Sequence, residues 1–163
     1  MPNQSIRLAV EDDKSLVMNL YRACSAADPS AGWNEYYPND EILMEDIGEQ
    51  SLFLYEAEKE LIGVFTLHAT DEIEKMDLAY QYQNNPCIIS RLCISPSMQG
   101  RGFGKTLLDA AENQAQAQGH GCIHLLCDEL NLKANRLYQM AGYAHVCKVA
   151  LYGNRYNVLE KSL

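Results

Sequence analysis

The stretch from Arg91 to Lys105 constrains this chain more than any other. An apolar, strand-like run, Leu92-Cys93-Ile94, ends at Pro96. A glycine-rich turn, Gln99-Gly100-Arg101-Gly102-Phe103-Gly104, follows it, and a long helical pattern then begins. Strand, glycine loop and helix N-terminus in that order form an anion cradle. Glycines let backbone N–H groups converge on phosphate oxygens, and the positive end of the helix adds to the attraction. Arg101 and Lys105 contribute formal charge beside it.

A second group lies downstream: Asn131, Ala134, Asn135 and Tyr138, with Tyr143 directly after Gly142. Gln99, Gly102 and Gly104 fill the pattern Gln/Arg-x-x-Gly-x-Gly/Ala. The second group fills Asn-x-x-Ala-x-x-x-Tyr with an aromatic after glycine. With these two motifs, and the interval between them, the chain resembles the GNAT family of N-acetyltransferases. The resemblance is firm from about Ile88 to Val146 and looser before it, where Trp33 and Tyr37-Pro38 are similar to small bacterial members.

The resemblance implies an α/β fold, a mixed and twisted central sheet with helices on both faces. The strand carrying Leu92 to Ile94 would splay from the one carrying Cys122 to Cys127, with acetyl-CoA entering the gap. Backbone groups of Leu92, Cys93 and Ile94 would hold the pantetheine arm and the acetyl carbonyl. The loop Gln99, Gly100, Arg101, Gly102, Phe103, Gly104 and Lys105 would bind the pyrophosphate. Asn131 and Asn135 would serve the cofactor site. Tyr138 would be the general acid for the departing thiolate, a role that suits a phenol because it stays protonated at neutral pH and can reach from a helix start. The implied reaction is direct transfer from acetyl-CoA to a primary amine, with no metal and no covalent intermediate. Family members often dimerise.

Transfer also needs a neutral amine, although a simple alkyl amine has a pKa of roughly 10. Some family members supply a glutamate for this. Here Ile89-Ser90-Arg91 offers no carboxylate, and the next strand places Asp128 and Glu129 toward its end. Deprotonation through ordered water is the expectation, with Glu129, Asp128, His124 and His68 as lesser candidates. Trp33, Tyr36 and Tyr37 are candidates for an acceptor pocket or for core packing. Arg91 reads as a brace or a structural pair. The alternative is a module that binds acyl-CoA without transfer.

Bulk properties narrow the field. A chain of 163 residues suits one domain, 1–163. Net charge is −9, which argues against nucleic acid as the main partner. The charge is uneven: residues 34–77 hold 13 acidic and 2 basic side chains, the remainder 9 acidic and 11 basic. The acidic stretch serves either as a solvated surface or to steer a cationic small-molecule acceptor. No run approaches the roughly 20 apolar residues of a membrane span. Met1 to Ser5 shows no signal pattern, so a cytoplasmic location is expected. The six cysteines form no C-x-x-C pair and read as reduced core residues.

Two nucleotide-binding alternatives fail on spacing. Gly104-Lys105-Thr106 matches the end of a P-loop, but the required earlier glycine position is Gln99. A dinucleotide fold expects its glycine loop near the start of the fold and an acid about 20 residues later.

Periodicity predicts strands over 5–10, 51–57, 61–68, 87–94 and 122–127, then two closing strands around a Gly153-Asn154 turn. Helices are predicted from 11–13 to Ala27, with Leu16, Leu20 and Cys24 on one face and a stop at 28–32. Others are predicted from Asn39 or Asp40 to Ile47, over 102–118, and from Asn131 to near Gly142. The segment 69–86 is predicted as largely irregular.

Overall fold

A computed structural model describes residues 3–29, 32–70 and 72–163. The elements, in chain order, are β1 (Gln4–Leu8), α1 (Lys14–Ala27), α2 (Asp40–Gly48), β2 (Leu52–Ala57), β3 (Glu60–His68), β4 (Pro86–Ile94), α3 (Phe103–Ala117), β5 (Cys122–Asp128), α4 (Leu132–Met140), β6 (Ala144–Leu151) and β7 (Asn154–Ser162). The strands form a seven-stranded sheet in the order β1-β2-β3-β4-β5-β7-β6. It is mixed as expected: β4 and β5 run parallel, whereas β1–β2, β2–β3, β5–β7 and β6–β7 are antiparallel. The chain clusters into two compact units, Met1–Thr66 with Arg91–Ala110, and Leu67–Ser90 with Ala111–Leu163.

In the first unit the core forms where α1 and α2 bury their apolar stripes. Val17, Leu20, Tyr21 and Cys24 recur at helical spacing and pack with Leu43, Leu52, Leu54, Val64 and Cys93. Leu16, expected on that stripe, is 46% exposed, because the buried face starts one residue later at Val17. Asn39 caps α2, its side chain accepting from Ile42 N at 2.9 Å. Asp13 does not cap α1 in this way. Its carboxylate takes Arg7 Nη1 and Nη2 at 2.8 and 2.9 Å and Val10 N at 2.8 Å, tying β1 to the helix start. The β2–β3 turn sets Glu58 and Lys59 at φ +54° and +67°, the left-handed pair that a two-residue hairpin turn requires. Ser30 and Ala31 of the expected helix stop lie outside the described residues.

In the second unit β5 lies between β4 and β7, with Ile123 and Leu125 fully buried. The β6–β7 turn falls on Tyr152-Gly153 rather than Gly153-Asn154. These two residues carry positive φ, +53° and +80°, while Asn154 already pairs with Leu151. The irregular segment before β4 contains one short 3-10 turn, Glu72–Lys75. Two buried polar side chains hold it. Glu160, 2% exposed, accepts from Gln81 N and Tyr82 N at 2.8–3.0 Å. His124, 1% exposed, meets Tyr82 O through Nε2 at 2.7 Å and stacks on the Tyr80 ring at 3.6 Å. A segment lacking regular ladders thus finds its hydrogen-bond partners in side chains of β5 and β7. Among the described residues no helix is long and apolar enough to cross a membrane.

Candidate active site

In the first unit, the end of β4 is fixed from several directions. Ser95 N donates to Ile62 O at 2.8 Å, and Ile94 O accepts from Cys24 Sγ and from Gln99 Nε2, both at 3.2 Å. Gln99 therefore straps the loop to the strand that enters it. Gly100 and Gly102 follow at φ +75° and +83°. A Cβ at either would meet nothing within 4 Å, so glycine is needed for backbone conformation rather than space. α3 then starts at Phe103, with Gly104 and Lys105 in a first turn that carries no acidic residue. The first N–H groups of a helix have no partner within the helix and favour anions. Arg101 lies over the Phe103 ring at 5.7 Å, and Lys105 reaches Asp109 at 2.8 Å. Both cations sit at the exposed surface, where such pairs are worth ~0–1 kcal/mol.

Two features of this unit lie outside the motifs. Gly63 in β3 faces the backbone of β4 so closely that a Cβ would stand 2.5 Å from Cys93 O. A glycine inside an apolar strand run is the sequence signal for such an approach. Arg91, inside β4, has φ +48°, a left-handed conformation that costs a non-glycine residue ~1–2 kcal/mol. Its guanidinium grips Asp46, 2% exposed on α2, through Nε (2.9 Å) and Nη2 (2.8 Å), and its Nη1 donates to Tyr37 Oη at 3.2 Å. Trp33 packs edge-on against Tyr21, and Tyr36 is 76% exposed. Burial pushes the Cys93 thiol well above its ordinary pKa, so it carries little thiolate character.

In the second unit, the β5–α4 connection is built from short polar side chains. Asp128 Oδ1 accepts from Leu130 N at 2.9 Å. Asn131 caps α4 by accepting from Ala134 N at 3.2 Å. Asn135 donates through Nδ2 to Asp128 O (2.9 Å) and Asn131 O (2.8 Å), and its Oδ1 accepts from Asn157 at 2.9 Å. Its amide is thus spent on shaping this connection. Tyr138 sits on the last turn of α4 rather than near the helix start, 7% exposed and edge-on to Tyr143. Burial, then the neighbouring Cys127, push its pKa up, so the phenol keeps its proton. The other titratable candidates are engaged. Glu129 pairs with Lys148 at 3.2 Å, and His124 uses Nδ1 on Glu74 and Nε2 on Tyr82 O. His68 closes β3. Among the described residues no three His, Cys, Asp or Glu side chains gather into a metal-binding group.

A mixed sheet whose fourth strand runs into a glycine cradle at a helix start has the architecture of an acyltransferase fold. Residues 15–143 match the acetyltransferase (GNAT) family, and the chain belongs to that family. It is similar to an uncharacterized N-acetyltransferase of Bacillus subtilis, YhfO, at 30% identity over 95 residues; the match takes in 58% of this chain and 59% of that protein's length. Among solved structures, an acetyltransferase of the GNAT family from Streptococcus agalactiae superposes with a TM-score of 0.80 at 21% identity, covering 98% of this chain and 95% of that one. The structure of yncA from Salmonella typhimurium with its cofactor acetyl-CoA gives a TM-score of 0.72 at 16% identity, covering 98% and 93%.

Proposed function

We propose that this chain is an acetyl-CoA-dependent N-acetyltransferase that moves the acetyl group directly to a primary amine. One observation carries the reading. β4 leads into Gly100 and Gly102, both at positive φ, and these open onto the acid-less first turn of α3. N–H groups of Gly100 to Lys105 take the donor's pyrophosphate. Backbone groups of Leu92, Cys93 and Ile94 hold its pantetheine arm and acetyl carbonyl, where charge grows during transfer. Asn131 contacts the arm, and Asn135 keeps the loop that presents Asn131 in shape. Tyr138 Oη gives its proton to the leaving sulfur. A raised phenol pKa suits that task, because the group enters each cycle protonated. The thiol character of Cys93 favours direct transfer over an acyl-enzyme.

The acceptor amine loses its proton to ordered water, since the candidate carboxylates Asp128 and Glu129 already serve the backbone and Lys148. The acidic stretch 34–77 inclines the acceptor toward a cationic small molecule, and exposed Asp40, Glu41 and Glu45 on α2 belong to it. The engagement of those carboxylates also favours a second reading, a module that binds acyl-CoA without transferring it.

Calorimetric titration with acetyl-CoA, with ATP–magnesium as the control, tests the donor reading. Micromolar binding of acetyl-CoA alone supports it; no heat at several temperatures removes it, and an ATP response revives a nucleotide site. Thiol release across a panel of amines then separates enzyme from binding module, which would turn over with none of them.

A further inference from the structure

Arg91 is the one non-glycine residue of positive φ that lies within a strand among the described residues. The others, Gln50, Glu58, Lys59, Asn85 and Tyr152, sit in turns or loops, where the left-handed conformation closes a turn. Strain of this kind persists only where the surroundings over-determine it. The surroundings of Arg91 do so. Asp46, held in the core on α2, takes Nε and Nη2 in a two-pronged ion pair and also accepts from Thr66 Oγ1 at 3.4 Å. Nη1 goes to Tyr37 Oη. A buried carboxylate is costly to leave without its cation, so Asp46 holds the guanidinium in place. A guanidinium held in two prongs fixes the chain that carries it far more tightly than a point charge.

The left-handed residue immediately precedes Leu92, Cys93 and Ile94. A change of conformation at Arg91 rotates each of the three following peptide groups, and with them the direction of their N–H and C=O bonds. We propose that Arg91 is a positioning residue: its ion pair with Asp46 locks the left-handed turn in β4 and thereby aims the Leu92–Ile94 backbone at the donor's pantetheine arm. This rests on the proposed function, which assigns that arm to those residues. Arg91 touches no reacting atom in this scheme.

The test separates the arm from the nucleotide. Two ligands are titrated into the wild-type protein and into Asp46→Asn, Arg91→Lys, Arg91→Gly and the double variant Asp46→Asn/Arg91→Lys. One ligand is acetyl-CoA; the other is 3′-phospho-ADP, the donor's nucleotide half without the arm. Each single variant is expected to weaken acetyl-CoA by about tenfold or more while leaving 3′-phospho-ADP within about twofold. The double variant should lose no more than the worse single one, since both changes break one contact. Arg91→Gly accepts positive φ without strain but cannot hold it, so it should lose affinity too. Unchanged acetyl-CoA binding in Asp46→Asn or Arg91→Gly overturns the proposal, as does parallel loss of both ligands, which marks a purely structural pair. If the wild-type protein binds no acetyl-CoA, it is the donor reading that falls.

Discussion

Gly63 lies so near the carbonyl of Cys93 that a single added methyl group would stand 2.5 Å from its oxygen, with Ile94 Cδ1 and Leu107 Cδ2 at 2.9 and 3.0 Å. The obstacle is backbone, which cannot swing aside as a side-chain tip can. Gly63→Ala should therefore cost about 1–3 kcal/mol and lower Tm by several degrees. Gly48→Ala, where nothing lies within 4 Å, is the control and should be neutral or slightly stabilising. Thermal melts of the two variants check the contrast; equal Tm values would mean that β3 and β4 have more slack than this contact allows.

Tyr138→Phe removes one oxygen from a buried ring. Turnover should fall by about 10²-fold or more, with acetyl-CoA affinity kept within about twofold. In the proposed role Tyr138 must be protonated to act, and its pKa lies above the ordinary phenol value, so the wild-type rate should show no loss from this group below about pH 10. Any rise of rate with pH then belongs to the acceptor amine and should survive in the variant. A pH–rate profile of both proteins with an accepted amine decides it, and a variant with full turnover would assign the proton to another donor.

Asn135 donates to two main-chain oxygens, so an aspartate there would set a carboxylate against Asp128 O and Asn131 O. Asn135→Asp should destabilise the protein by about 1–3 kcal/mol at neutral pH. Urea unfolding measures the loss. Full stability with weakened acetyl-CoA binding would instead make Asn135 a ligand contact first and a structural residue second.

Arg7 holds the Asp13 carboxyl below its ordinary pKa, chiefly through their hydrogen bonds, with burial opposing. A carboxylate depressed on folding contributes stability above its unfolded pKa of about 4 and loses it as pH falls through the folded value. Asp13→Asn should be less stable than wild type at pH 7, and the gap should close progressively below about pH 4. Tm values of the two proteins from neutral to acid pH follow this directly; a constant gap would assign the effect to packing.

Much of the geometry of the candidate site was legible along the chain because that geometry is made by consecutive residues. Gln99 to Lys105 form one loop and one helix start, and their glycines mark the positive φ that the turn uses. Asn131 caps α4 because its side chain needs only a backbone N–H three residues ahead. Strand and helix periods likewise placed nearly every element, the exceptions being local. The β6–β7 turn falls one residue earlier than expected, on Tyr152 and Gly153, because the strand register already pairs Asn154 with Leu151.

What the tertiary structure alone decided is which polar groups meet across long separations. Arg91 finds Asp46, 45 residues earlier, and Glu160 takes the N–H groups of Gln81 and Tyr82 across 79 and 78 residues. No period or motif announces such pairs, since a lone acid on a helix or strand looks like any solvated one. Burial selects them. Once the core excludes water, each charge must find a partner within it, and the partner available depends on how the strands are ordered rather than on the neighbouring sequence. Local geometry, the glycine loop and the helix it opens onto, was thus written in the residue order; the polar pairs that hold β4 and the segment before it arise only from the assembled fold.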